Sequence, residues 1–154
     1  MSKAFTRETD EDVEAVVLRP AKLPPGVPNY LTASGMERLR NRLTHLLSQP
    51  ADFSNRQVIN ELKQSLDSAV VVEPPPLPWE QVLFGAYVTV KNQSGELIRY
   101  HLVGVDETDL QPDNISWRSP LARALLKARL GNQIKFKSPG GVHQLTIIDI
   151  SYIL

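Results

Sequence analysis

Cysteine is absent from all 154 residues. That excludes a disulfide framework, thiolate zinc sites and a cysteine nucleophile, and it fits a reducing cytoplasm. An excess of either charge is also missing, because lysine plus arginine and aspartate plus glutamate each total 17. With zero net charge no global field draws the chain to nucleic acid or to a membrane, so any polyanion contact has to be local. No apolar run approaches the roughly 20 residues that span a bilayer. The N-terminal MSKAFTRETDEDVEAVVLRP has no apolar stretch ahead of a small-residue cleavage site. The expectation is an unexported cytoplasmic protein with no membrane partner.

Catalytic signatures are missing as well. His45, His101 and His143 lie on different expected elements without a second ligand at i+3 or i+4, so no metal site is indicated. No glycine-rich loop of phosphate-binding spacing precedes a helix, and no nucleophile elbow occurs. Pro-Gly-Gly at 139–141 reads as a turn. Asp106, Glu107 and Asp109 form either a solvated acidic loop or a cation site, since hard cations need several oxygen ligands close together. Arg118, Arg123, Lys127 and Arg129 form either a solvated face or a basic surface for an acidic groove or phosphates. No catalytic residue, metal or cofactor is expected, and the chain does not read as an enzyme.

What is present is ordered punctuation. Residues 1–28 open with Glu8, Asp10, Glu11, Asp12 and Glu14 and close on RPAKLPPGVP, whose prolines favour extended, unpaired backbone. This reads as a mobile arm: a solvated tail, or a partner-binding segment centred on Val13 to Leu18. From Thr32, an expected N-cap, Met36, Leu39, Leu43, Leu46 and Leu47 recur at helical spacing. Pro50 stops that helix. Ser54 with Gln57 makes a capping-box start for a second one, carrying Val58, Ile59, Leu62, Leu66 and Ala69. Residues 29–72 are therefore expected to form an antiparallel helical hairpin, each helix about 16 residues and on the order of 24 Å long.

The proline-rich EPPPLPW over 73–79 reads as a stiff linker and domain boundary. Residues 80–154 then read as an antiparallel sheet crossed by one short helix. FGAYVTVKN and ELIRYHLVGV make a hairpin around the bend at 93–95. Ile115 to Trp117 reads as a short strand. Ser119 is the expected N-cap of the helix, with Pro120 at its first position, Leu121, Leu125 and Leu126 as its buried stripe and Gly131 as its left-handed cap. Ile134 and Phe136 alternate with lysines, and VHQLTIIDISYIL is a long last strand. Its apolar phase slips between Leu145, Ile147 and Ile148, Ile150, which predicts a bulge.

FGAYVTV at 84–90, HLVGVDE at 101–107, IS-x-x-SPLARALL-x-x-x-x-G at 115–131 and the PGG turn follow one another in a fixed order and spacing. In that combination the chain resembles the C-terminal domain of the Gre family of bacterial transcript-cleavage factors (GreA/GreB). NYLTASGMERLRNRL at 29–43 is similar to the family's opening helix, so the resemblance covers roughly 29–154. It implies an α+β fold: a short helical hairpin followed by an FKBP-like β-sheet domain with one short helix. It also implies a partner, bacterial RNA polymerase, with the C-terminal domain docked at the rim of the secondary channel and nucleic acid met only through the polymerase.

Ile115, Ser116, Ser119, Pro120, Leu121 and Ala122 match the family segment that contributes to docking. Trp117 and Arg118, between them, complete the candidate site. Leu121, Pro120 and Trp117 are its expected apolar anchors. The chain departs from the family at the hairpin tip. Full-length Gre factors carry a longer coiled coil with acidic tip residues that help hold a catalytic magnesium ion, whereas SQPADFSN at 48–55 has Asp52 as its single carboxylate. In that shortness it resembles the regulator of nucleoside diphosphate kinase. The leading expectation is a transcription regulator that docks without stimulating RNA cleavage. The alternatives are an active cleavage factor using Asp52 with an acid of the arm, and, from the FKBP-like fold, a prolyl isomerase. The aromatic pocket an isomerase needs is not evident in a chain that is 6% aromatic.

Overall fold

Thr32 sets where the first helix begins. In the computed structural model, which describes residues 23–50 and 52–153, its hydroxyl oxygen accepts the Gly35 N–H at 3.0 Å and so satisfies one of the amides a helix start leaves open. Just before it, strand β1 covers Asn29–Leu31, and helix α1 follows over Ala33–Leu47. Met36, Leu39, Leu43 and Leu46 of α1 pack toward Val58, Leu62 and Leu66 of helix α2, Phe53–Ser68. Leu47, expected in that stripe, stands outside it at 56% exposure.

Helix α2 starts earlier than the Ser54–Gln57 pair predicts. Asp52 is its N-cap, with the carboxylate accepting the Asn55 N–H at 2.8 Å. An aspartate there caps as well as a serine, and its charge also favours the positive end of the helix dipole. At the other end Ala69, expected in the helix, opens strand β2, Ala69–Val71. It pairs in parallel with β1 in the register Asn29↔Ala69, Tyr30↔Val70, Leu31↔Val71. The two roots of the hairpin are thus tied together, an arrangement the sequence pattern did not predict.

The prolines after β2 lead without regular structure to Trp79. Its indole N–H donates to the Pro75 carbonyl at 3.0 Å, and its ring meets Tyr152 edge-on at 5.5 Å. The Tyr152 hydroxyl donates to the Gln81 carbonyl at 2.7 Å and accepts the Leu83 N–H at 3.0 Å, which seats the end of the linker against the sheet.

The sheet contains β3 (Tyr87–Lys91), β4 (Leu97–Val103), β5 (Asn114–Ser116), β6 (Gln133–Ser138) and β7 (Gly141–Ser151), in the order β5-β4-β3-β7-β6. It is mixed, whereas the alternation predicts a wholly antiparallel one. After β4 the chain runs through a 3₁₀ turn, Val105–Glu107, and a loop that returns it along β4, so β5 pairs in parallel. The bulge predicted in the last strand is present: Thr89 pairs with Asp149 and Val90 with Ile147, leaving Ile148 extra. That extra residue is what lets both Ile147 and Ile150 face the core.

Helix α3, Pro120–Leu125, closes that core with Leu121, Ala122 and Leu125 against Val88, Leu102, Ile115 and Leu145. It ends before Gly131. Lys127 takes the left-handed turn at φ 69°, because residues 127–130 are drawn into pairing with the linker end. The Lys127 N–H donates to Val82 at 2.7 Å and the Val82 N–H to Ala128 at 2.9 Å. Most of the arm expected over 1–28 lies outside the described residues; within 23–28 the Val27 N–H closes a turn on Pro24 at 3.1 Å. No helix among the described residues is long and apolar enough to cross a membrane.

Candidate functional site

The segment from Ile115 to Ala122 is held by its own backbone and hydroxyls. The Trp117 N–H donates to the Val103 carbonyl at 2.8 Å, and the Ser119 N–H to Ser116 at 2.9 Å. The Ser116 hydroxyl oxygen accepts the Arg118 N–H at 3.1 Å, and the Ser119 oxygen caps α3 through the Ala122 N–H at 3.2 Å. Pro120 occupies the first turn, where a missing N–H costs nothing.

Burial divides the eight residues into two sets. Ile115 and Ser116 are 3% exposed and Leu121 only 1%, so these and Ala122 are the scaffold. Leu121 is therefore a core residue and not an anchor open to a partner. Pro120 is exposed, and Trp117, Arg118 and Ser119 are partly so. The Trp117 ring lies 5.2 Å from Tyr30, which in turn lies 5.6 Å from Phe84, and the Arg118 guanidinium sits 6.0 Å from the Trp117 ring centre. The outward surface is thus an aromatic patch edged by a cation and a proline, the composition that protein interfaces favour. Tyr30 and Phe84 are distant in sequence from the segment 115–122, and only the fold brings them there.

Beside this surface the acidic loop is only partly solvated, with Asp109 exposed, Asp106 half-buried and Glu107 buried. Its carboxylates reach the hairpin. Asp106 accepts from the Asn29 amide at 3.1 Å and Asp109 pairs with Arg42 at 3.1 Å. Glu107, 1% exposed, accepts the Thr32 N–H at 3.1 Å, the Thr32 hydroxyl, and the Gly104 N–H at 2.6 Å. Burial pushes the Glu107 carboxyl up from its ordinary value, and the bonds from Thr32 and Gly104 pull it back. Among the described residues no group of three histidines or carboxylates could hold a metal ion.

The remaining candidates lie apart. Asp52, at the hairpin end, is exposed and engaged as a helix cap. Arg123, Lys127 and Arg129 are exposed on and after α3. His101 is buried, stacked on Tyr87 at 3.8 Å and bonded to Asn114 at 3.1 Å. His45 and His143 sit on other elements with Gln49 and Ser138 as partners.

The structure thus sets a helical hairpin beside an aromatic patch on a mixed sheet, and comparison with known proteins places the chain in a family. The family model described as "Transcription elongation factor, GreA/GreB, C-term" matches residues 77–152. The transcription elongation factor GreB of Neisseria meningitidis serogroup B (strain ATCC BAA-335 / MC58) is 40% identical over 154 residues, covering 81% of this chain and 94% of that protein. GreB of Xanthomonas axonopodis pv. citri (strain 306) is 36% identical over 132 residues, covering 83% of this chain and 77% of that protein. Among solved structures, the prokaryotic transcription elongation factor GreA/GreB from Nitrosomonas europaea shares 29% identity, with 80% of this chain and 98% of that chain covered at a TM-score of 0.45. The chain belongs to the GreA/GreB family of transcription elongation factors.

Proposed function

We propose that this member of the family is a regulator that docks on bacterial RNA polymerase at the rim of the secondary channel and does not stimulate transcript cleavage. The observation that carries the second half is the hairpin end. Asp52 is the single carboxylate of the connection, and it caps α2. Fixing a divalent cation takes two or more oxygen ligands held together, and the connection offers this one carboxylate. The hairpin is also short: at 15 residues α1 is about 22 Å long. Docking is supported by the match of the segment to the family and by its outward face of exposed Pro120 and half-buried Trp117 and Arg118.

The test is binding to core polymerase in competition with a full-length Gre factor, followed by RNA cleavage in stalled complexes. Competition without cleavage is the expected result, and Pro120→Glu should abolish the binding while leaving the unfolding midpoint at the wild-type value. Stimulated cleavage that Asp52→Asn removes would instead make the chain an active cleavage factor. Absence of competition would leave the docking surface without a role.

A further inference from the structure

The start of α1 is capped in an unusual way. In a capping box the N-cap residue accepts from the amide at the third helical position, and a glutamate or glutamine at that position reaches back to the N-cap amide. Thr32 performs the first half, accepting the Gly35 N–H. The third position is Gly35, which has no side chain to perform the second. Glu107, 75 residues along the chain, performs it instead: its carboxylate accepts the Thr32 N–H at 3.1 and 3.3 Å. A Cβ on Gly35 would lie 1.6 Å from a Glu107 oxygen, so the carboxylate stands where the side chain of the third residue would begin.

The same carboxylate is anchored on the sheet side by the Gly104 N–H at 2.6 Å. The backbones meet closely there, since a Cβ on Gly104 would lie 2.0 Å from the Tyr30 carbonyl oxygen. We propose that Glu107 is a positioning residue that completes a capping box split between the hairpin and the sheet, and that this joint fixes the angle at which the hairpin leaves the docking surface. A capping box made wholly within α1 would stabilise the helix equally well. Supplying its acid from the sheet makes the cap depend on the hairpin being seated. The two glycines are required by this arrangement, because each opens the space the other element fills.

Gly35→Glu separates the two roles. It supplies a local acid at the third position and evicts Glu107, so α1 keeps a cap while the joint opens. Glu107→Ala removes both. Because the chain has no cysteine, spin labels can be placed at Glu61→Cys and Lys135→Cys, both exposed positions on the hairpin and the sheet, and the distance between them read directly. The wild type should give one narrow distance. Gly35→Glu should broaden it with helicity retained, and Glu107→Ala should broaden it with helicity reduced. Thr32→Val removes the hydroxyl that meets Glu107 and with it the acceptor of the Gly35 N–H, so it should broaden the distance with some loss of helicity even if the other variants unfold.

A broad wild-type distribution would overturn the proposal. So would a narrow distance unmoved in folded Gly35→Glu and Thr32→Val. The consequence for transcription rests on the polymerase-docking reading: the variants should still compete for polymerase but lose the wild-type effect on elongation. A wild type that fails to bind polymerase defeats that reading and leaves the distance test untouched, whereas an unmoved distance defeats the joint alone.

Discussion

His101 shows what burial does to a single titratable group. It is enclosed by the Tyr87 ring and Asn114, and loss of water pushes its pKa below the usual 6.5 against the opposing pull of the Asn114 bond and Asp113. The folded state then holds this proton less tightly than the unfolded chain. Its contribution to stability is present above about pH 6.5 and is lost as pH falls through the lowered folded value. Glu107 acts with the opposite sign: its raised pKa gives a contribution present below the ordinary carboxyl value and lost as pH rises through the folded one. His101→Gln should flatten the acid side of a stability–pH profile measured by urea denaturation, leaving the descending Glu107 slope in view. A profile with an unchanged acid limb would show that His101 is not the group responsible.

At this scale the sequence was a good guide to surface chemistry and a poor one to partnership. The Ser119–Pro120 start was legible because cap and first-turn proline are local requirements. The burial of Leu121 was legible too, from its place in the apolar stripe; that this burial leaves it no face for a partner was not, since the closure of the helix depends on strands far away in the chain. The acidic loop was opaque for the same reason: nothing in DETD itself says that the donors for its carboxylates lie at residues 29, 32 and 42.

Among the elements, α2 is held at its start by one side chain. Replacing Asp52 with alanine removes the acceptor of the Asn55 N–H and should cost about 1 kcal/mol of stability. It should appear as a lower unfolding midpoint for helix signal by circular dichroism. Asp52→Ser, which can still cap, should recover most of it; equal loss in both variants would assign the effect to the charge instead. The helix start was misplaced from sequence because two capping residues, Asp52 and Ser54, stand two positions apart, and spacing alone does not rank them. Strands β1 and β2 were missed because three residues are too few to show alternation, and their pairing exists only once the hairpin brings its roots together. The bulge in β7, by contrast, was legible, because a change of apolar phase has no other way to keep Ile147 and Ile150 on one face.

Across the whole molecule the apolar mass is unevenly shared. The hairpin buries Leu31, Leu39 and Leu62, whereas the sheet and α3 bury a much larger set that includes Val88, Leu102, Leu125, Phe136 and Ile147. At roughly 1.5–3 kcal/mol for each buried large side chain, the hairpin is the less stable part and draws on its contacts with the sheet. Native-state hydrogen exchange should therefore show the amides of α1 and α2 opening at lower free energy than those of β3, β4 and β7. Equal protection in both parts would mean that they unfold as one unit. The exposed Arg42–Asp109 pair adds little to the balance, so raising the salt concentration should leave the order unchanged.

The parallel ladder at the hairpin root also bears on length. Entry and exit of the helical pair are pinned side by side by three residue pairs, and Thr32 meets Glu107 at that same level. Seven residues added to each helix would move the tip outward by about 10 Å while leaving the ladder where it is. The hairpin is therefore a ruler with its zero mark fixed on the sheet, and the reach of its far end can be changed without redrawing the scale.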